Sequence, residues 1–390
     1  MKVRYNYRLR PPKTVRHALM SEWDKCRWAW NQSVVTSRAA HALDEECGPA
    51  RIQRELTAWR AEHEWLRAGS SVVQQQVLRD FSAARAKALL DRKNKLPMKQ
   101  RRGMPLFKKR GVSPASLNYT KRGFSIREGR LILAGGLSCV VVWSRELPSE
   151  PASVRVFQDS LGHWYASFVV EIEVEELPVG SRPIGVDWGV TQTATTTDEL
   201  FDLDHSEFDR AVQLKTTKYQ RMMARRKPAR GQKASKGYEA AKRAAAKERA
   251  HARRQRSDAH NKWAKRIVRK HHQLAVEDFK PKFLSKTKMA RKSQDAGIAS
   301  AKQALVWQAT KHGRDLRLID PKYTTQDCSE CGARAKHHID LSMRIYECAS
   351  CGMVKTRDRN SADLMVVRAG FNPADTDRVS LECPQGSQAA

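Results

Sequence analysis

Two Cys-x-x-Cys pairs, Cys328 with Cys331 and Cys348 with Cys351, stand 16 residues apart in this 390-residue chain. No other feature restricts the fold so tightly. The spacing matches a four-thiolate zinc ribbon, in which each pair closes a tight knuckle and one tetrahedral Zn²⁺ joins the two. Gly332 and Gly352 each follow a second cysteine, where the knuckle's turn favours the positive φ that glycine adopts most easily. Four thiolates leave no open coordination position, so this zinc is expected to be structural and not catalytic. Cys26, Cys47, Cys139 and Cys383 are scattered, which is metal arithmetic in a reducing compartment and not a disulfide framework.

The chain carries 73 Lys+Arg against 42 Asp+Glu, a formal charge of +31. A surplus of that size repels itself unless a polyanion neutralises it, so nucleic acid is the expected partner. The one-sidedness is sharpest between Arg210 and Arg256, where Glu239 and Glu248 are the only acids and Arg225-Arg226-Lys227 and Arg253-Arg254 are clustered. That run reads as an element facing phosphates with little sequence readout. With 40% hydrophobic residues, disorder throughout is excluded, and the length suits two to four domains. No run approaches the ~18 apolar residues of a membrane helix, and the start lacks an apolar signal region, so a soluble, intracellular protein is expected.

Apolar periodicity divides the rest. Residues 3–9 alternate as a strand and stop at Pro11-Pro12, after which Val15, Leu19, Trp23, Cys26, Trp30 and Val34 recur at steps of three and four, one stripe of a helix. Val73, Val77, Phe81, Ala84 and Ala88 mark a second helix behind Ser70-Ser71. Residues 12–92 thus read as a helical block with Trp23 and Trp30 in its core. Residues 93–122, with Lys99, Arg101, Arg102, Lys108, Lys109 and Arg110, read as an exposed connector that follows phosphates. Period two returns at 130–133, 139–143, 154–157 and 164–174, with a turn at 159–162, which suggests a small β-barrel. If the opening strand joins that barrel, the helical block is an insertion in it. After a linker at 178–183, a strand and hairpin (184–197), helix (207–270), strand (273–279), helix (298–311) and strand (316–320) alternate as in an α/β sheet. Residues 372–390 lack periodicity and are expected to be mobile.

Three acids stand out from the surface charge. Asp187 ends the apolar run Ile184-Gly-Val-Asp, Glu277 ends Leu274-Ala-Val-Glu, and Asp358 immediately precedes an apolar helical stretch, at a helix N-terminus. A lone buried carboxylate is unfavourable unless it is paired or binds metal. Each alone is ordinary, Asp358 as a helix cap and Asp187 as a turn residue. Converged, they would hold a pair of Mg²⁺ or Mn²⁺ ions roughly 4 Å apart, suited to phosphodiester hydrolysis. Asp198, Asp278 and Asp363 are weaker candidates, beyond the strands or on outer faces.

The order Gly-Val-Asp187, Val-Glu277-Asp, Tyr323-Thr-Thr-Gln-Asp-Cys-Ser-Glu-Cys-Gly332, Tyr346-Glu-Cys-Ala-Ser-Cys-Gly352 and Asp358-Arg-Asn360 resembles the TnpB (OrfB) proteins of bacterial insertion sequences, relatives of the type V CRISPR effectors. In the N-terminal half, Tyr7-Arg-Leu-Arg-Pro11, Cys26-Arg-Trp-Ala-Trp-Asn31, Glu64-Trp-Leu66, Gln74-Gln-Gln76 and Pro105-Leu-Phe-Lys-Lys109 are similar to that family too. Trp188, where an aliphatic residue is commoner, and Leu364, where asparagine is usual, depart from it.

The resemblance implies a multidomain chain mixing α/β, all-β and all-α parts. A wedge β-barrel (1–11 and 111–180) is interrupted by a helical recognition domain (12–110) and followed by a RuvC-type nuclease of RNase H fold (181–325 and 353–371), with the zinc ribbon (326–352) inserted to bind target nucleic acid. Carried over, Asp187, Glu277 and Asp358 are the catalytic, magnesium-binding carboxylates, and Cys328, Cys331, Cys348 and Cys351 hold structural zinc. The implied partners are a guide RNA from the transposon end and double-stranded target DNA beside a short protein-read motif, in the bacterial cytoplasm at the nucleoid. Base pairing then chooses the sequence, which suits a protein basic along its length. A compact CRISPR effector, a non-cleaving DNA-binding regulator and a strand-joining transposase are the rival readings.

Overall fold

The computed structural model describes residues 1–175, 177–178, 182–229, 231–336, 339 and 343–371. The expected tail at 372–390 lies outside the described residues, as does part of the linker at 178–183. The chain forms two compact units that divide between Glu173 and Val174.

In the first unit β1 (Lys2–Arg10) is followed by four helices, α1 (Lys13–Ala42), α2 (Pro49–Glu62), α3 (Glu64–Arg67) and α4 (Ser71–Lys93). Then come β2 (Ser116–Thr120), β3 (Phe124–Arg127), β4 (Arg130–Leu133), β5 (Leu137–Val142), β6 (Ser153–Gln158) and β7 (Trp164–Glu171). The strands make one antiparallel sheet in the order β2-β6-β7-β1-β5-β4-β3, so the opening strand sits at its centre with the helices inserted after it. Among the described residues no ladder joins the edge strands β2 and β3, which the short turn Lys121–Gly123 links in sequence.

The α1 stripe is buried at Leu19, Trp23, Cys26 and Val34, which is what fixes that helix against the rest of the unit. Two features of residues 93–122 differ from the expectation of an exposed connector. Residues 116–120 form a strand, because Leu117 and Tyr119 alternate inward; the run is too short, and too close to lysine and arginine, to stand out as a period. Lys108 does not reach for phosphate. Its ammonium lies 3.9 Å from the centroid of Trp30 and 5.2 Å from that of Trp23, a cation–π arrangement. Asn31 clasps its backbone from both sides at 2.8 and 3.1 Å. Burial there holds the ammonium below the usual lysine range.

The second unit is built on a five-stranded sheet. It comprises β8 (Ile184–Trp188), β9 (Gln192–Thr196), β10 (Leu203–Asp204), α5 (Phe208–Ala211), α6 (Gln213–Arg225), α7 (Lys236–Lys270), β11 (Gln273–Glu277), α8 (Ala290–Ala296), α9 (Ile298–Lys311), β12 (Asp315–Ile319), β13 (Ile345–Glu347), β14 (Val354–Thr356) and α10 (Arg357–Arg368). The order is β10-β9-β8-β11-β12, with β8, β11 and β12 parallel and β9 antiparallel to its neighbours. Ile184, Val186, Leu274 and Val276 pack on one face against Trp263 and Ile267 of α7 and Leu305 of α9. Ala275 packs on the other against Met365 and Val366 of α10. Among the described residues no helix is long and apolar enough to cross a membrane.

The alternation places the acids. With Val186 and Val276 facing α7 and α9, side chains at 185, 187, 275 and 277 face α10. The small residues Gly185 and Ala275 let that helix approach closely. A Cβ at Gly185 would lie 1.9 Å from the carbonyl oxygen of Ala362, so no other residue fits there without separating strand from helix.

Candidate active site

Asp187 and Glu277 stand at the carboxyl ends of neighbouring parallel strands, where the register pairs Val186 with Val276. This is the end of an open α/β sheet at which ligands bind. Asp358 lies in the first turn of α10, which packs over β8 and β11, at the end where the helix dipole favours negative charge. The structure thus brings the three acids to one place. Burial pushes the Asp187 carboxyl well above the usual carboxylate range, and negative charge on Glu277 and Asp358 pushes it further. Glu277 is 6% exposed, and burial raises its carboxyl to about 7 against the pull of the Trp188 N–H and the Lys302 ammonium. Asp187 thus faces the charge of both other acids, a repulsive arrangement that a bound cation would relieve.

Several groups position them. The Trp188 indole N–H donates to the Glu277 backbone carbonyl at 3.0 Å, and its backbone N–H approaches the Glu277 carboxylate at 3.4 Å. The ring meets Trp263 edge-on at 6.0 Å. Trp188 therefore staples β8 to the end of β11. Arg357 donates to Asp358 at 2.8 and 3.1 Å, and Arg344 lies 3.7 Å from the same carboxylate. Arg359 on the next position binds Asp202 at 3.1 Å and the carbonyl of Thr196, while Asp202 also accepts from Thr196 and Gln192. These bonds tie the N-terminus of α10 to β9. Of the weaker candidates, Asp278 pairs with Lys302, Asp363 with Lys355, and Asp198 accepts from the Leu200 N–H, so each is engaged elsewhere.

The four cysteines form a second, tighter set. Their sulfurs all lie within 4.8 Å of one another, the one such group of three or more candidate ligands among the described residues. Cys328 and Cys351 are 3.7 Å apart, Cys331 and Cys348 3.6 Å, close to the ~3.8 Å edge of a tetrahedron with Zn–S bonds of about 2.3 Å. Each knuckle repeats the same geometry. Gly332 N–H donates to Cys328 O and Cys328 N–H to Ala333 O, just as Gly352 donates to Cys348 O and Cys348 to Met353 O. Both glycines have φ near +70° (72° and 71°). The backbone N–H groups of Cys351 and Ser350 draw the Cys348 thiol down to about 6, towards the thiolate that a metal requires. The carboxylates are not that close, and ligands shared between two ions about 4 Å apart need not be.

The two sets touch through α10. Asn360, fully buried, accepts from the Ser329 N–H at 2.9 Å and donates to the Asp327 carbonyl at 2.9 Å, and the Ser361 hydroxyl donates to Thr324 O. The helix that carries Asp358 is thereby pinned to the knuckle of Cys328. Sequence reasoning quoted Asn360 in its motif without a role, and gave none to Arg357 or Asp202. The first and second sit within two positions of Asp358 and belong to the same motif, a signal that was available; Asp202, an isolated loop acid, offers none.

Residues 167–309 match the OrfB_IS605 family model, described as a probable transposase, and residues 299–364 match the TNB domain of Cas12f1-like proteins. A Streptomyces pristinaespiralis protein is 29% identical over 92% of this chain and 87% of its own length, and Escherichia coli InsQ 26% over 92% and 90%. Both carry the provisional name RNA-guided DNA endonuclease. These matches support a TnpB family protein. A Cas12f1 from a complex with guide RNA and target DNA has a similar compact multidomain fold, with a TM-score of 0.60 and 12% identity over 93% of this chain and 84% of that one. The matched TNB segment spans the four cysteines and Asp358, and the OrfB_IS605 segment spans Asp187 and Glu277.

Proposed function

We propose that this chain is a transposon-encoded, RNA-guided DNA endonuclease that hydrolyses phosphodiester bonds beside a short, protein-read duplex motif. The observation that carries the reading is the meeting of Asp187, Glu277 and Asp358 at one end of the second unit's sheet, in a chain whose matches support a TnpB family protein. The second unit is then the RuvC-type nuclease of RNase H fold, the cysteine segment its zinc-bound ribbon, and the first unit the wedge with its inserted recognition helices.

Asp187, Glu277 and Asp358 would hold Mg²⁺ or Mn²⁺, which when bound as a pair activates water and neutralises charge on the leaving oxygen. The chain's own residues set the stage. Glu277 and Asp187 would supply carboxylate oxygens to the ions, Trp188 holds the end of β11 in place, and Arg357 orients Asp358. Cys328, Cys331, Cys348 and Cys351 would hold Zn²⁺, with no position left for a substrate. Exposed arginines at 225, 226, 253 and 254 on α6, α7 and their junction supply counter-charge for guide RNA and target DNA.

The purified chain with its copurifying RNA is expected to cut guide-matched DNA when Mg²⁺ or Mn²⁺ is added. No cutting with any divalent metal, or equal cutting by Asp187→Ala, would overturn the reading. Sequencing that RNA separates a transposon end from a CRISPR repeat as the guide's source. The transposase description of the matched family model calls for joining as well as cutting; insertion of labelled ends into a plasmid would favour it.

A further inference from the structure

The register that joins β8 to β11 pairs Ile184 with Leu274, Gly185 with Ala275 and Val186 with Val276, and runs no further among the described residues. It ends one residue short of Asp187 and Glu277. On its other side β11 stays paired to its last residue, Glu277 with Ile319 of β12, and the Asp278 N–H donates to the Ile319 carbonyl at 2.7 Å. The two acids therefore stand where β8 and β11 have left their ladder. Strands beyond their last pair can splay, and the spacing of two carboxylates carried on them would vary with the splay.

Trp188 spans that gap. Its indole N–H takes the Glu277 backbone carbonyl at 3.0 Å, and its main-chain N–H makes a weaker approach to the Glu277 carboxylate at 3.4 Å. The first tie fixes where the β11 backbone ends, and the second fixes which way the carboxylate turns. The indole has no room to swing. It is 6% exposed, and its edge-on neighbour Trp263, 2% exposed, is itself tied by an N–H to the Phe201 carbonyl at 2.7 Å. The backbone is equally fixed: Trp188 pairs with Ala194 across a turn so tight that a Cβ on Gly189 would lie 2.6 Å from the Gln192 carbonyl oxygen.

A rigid set of carboxylates discriminates between cations of equal charge. Mg²⁺ requires a near-ideal octahedron with bonds of about 2.0–2.1 Å, whereas Ca²⁺ takes about six to eight oxygens at roughly 2.3–2.6 Å in a looser shell, so selectivity depends on site size and flexibility. We propose that Trp188 is a positioning residue that sets cation choice: by tying Glu277 to the strand of Asp187 it holds the two carboxylates at one spacing, which favours Mg²⁺ and denies Ca²⁺ its wider shell. The proposal rests on the nuclease reading for the working ion, and adds the residue that guards it against a commoner competitor.

The test is a Mn²⁺ titration of the full chain, freed of nucleic acid and followed by electron paramagnetic resonance, with Asp187→Ala as the blank and Mg²⁺ and Ca²⁺ as competitors. Trp188→Leu keeps an apolar side chain and removes both ring and donor. Trp188→Phe keeps a ring against Trp263 and removes the donor alone, so it serves if the leucine variant does not fold; zinc content and melting temperature report folding in each. Either variant should weaken Mg²⁺ about 10- to 100-fold, the usual effect of removing a group that orients a metal ligand. Ca²⁺ should weaken less, so the preference for Mg²⁺ narrows, and Ca²⁺ added during guided cutting should inhibit the variants more than the unaltered chain. Equal weakening of both ions, the mark of a merely structural tryptophan, or no change in either would overturn the proposal and leave the nuclease standing. So would an unaltered chain from which Ca²⁺ displaces Mn²⁺ as readily as Mg²⁺ does. A chain that holds no Asp187-dependent Mn²⁺ would sink the cation site and the proposal together.

Discussion

On the proposed reading, the thiol set and the carboxylate set solve the same problem, gathering metal ligands, at opposite ends of the range of chain separation. Each cysteine pair is built by a local knuckle with its own glycine and repeated backbone hydrogen bonds, and the two knuckles pack sulfur to sulfur at 3.6–3.7 Å. The carboxylates arrive from β8, β11 and α10, elements far apart in sequence, and rely on strand register and on Gly185 for their approach. Local assembly gives a closed site whose sulfurs are already in place. Long-range assembly sets Asp187 against the charge of two further acids, a repulsion that a bound cation would relieve.

Zinc removal should break the contrast most severely. The unaltered chain is expected to carry one zinc per molecule by elemental analysis. Cys348→Ser should lose it and unfold the ribbon, since binding of structural zinc is worth on the order of 10 kcal/mol in isolated ribbons and fingers. Thermal denaturation of the two proteins side by side is the check. Next in size, Glu277→Gln and Asp358→Asn should each reduce cleavage by about a thousandfold or more while guide and target binding persist, measured by gel shift and single-turnover cutting.

Acid separates the two sets by sign. Glu277, raised to about 7 by burial, takes up a proton as pH falls through that value, and Mg²⁺ affinity should fall with it. The same shift makes the metal-free protein lose stability as pH rises through about 7, because the folded state holds the proton that the unfolded chain releases near 4.5. Saturating Mg²⁺ should reverse that slope. Zinc, held by four preassembled sulfurs, should stay bound across the same interval. Isothermal titration with Mg²⁺ at pH 6 and 8, beside zinc content, tests both. The smallest effect is expected from Asn360→Ala, which removes both bonds between the Cys328 knuckle and α10 and should cost about 1–3 kcal/mol in denaturant melts.

Legibility in the sequence followed the same divide. The cysteine set could be read residue by residue because its geometry is encoded within four-residue units. The α1 stripe and the strands at 130–133 and 154–157 were legible by period alone. The acids could be singled out as carboxylates closing apolar runs, but their meeting was not derivable from spacing, since it depends on which strands pair. β2 escaped notice for a related reason: five residues carry too few alternations to establish a period. Lys108 read as solvent-facing because its aromatic partners lie on α1, a relation no local window contains. Trp188 was visible only as an unusual neighbour of Asp187, and its bond to the end of β11 gives that oddity a physical role.

The position of α10 in the chain has a consequence for safety in the cell. Translation delivers β8 and β11 first, the ribbon next, and the helix bearing Asp358 only at residues 357–368. A ribosome that stalls, or a premature stop before that point, releases a polypeptide that carries the basic hairpin but lacks Asp358, one of the three acids proposed to hold metal. On the proposed reading, the order of synthesis would leave incomplete products without a complete cutting site.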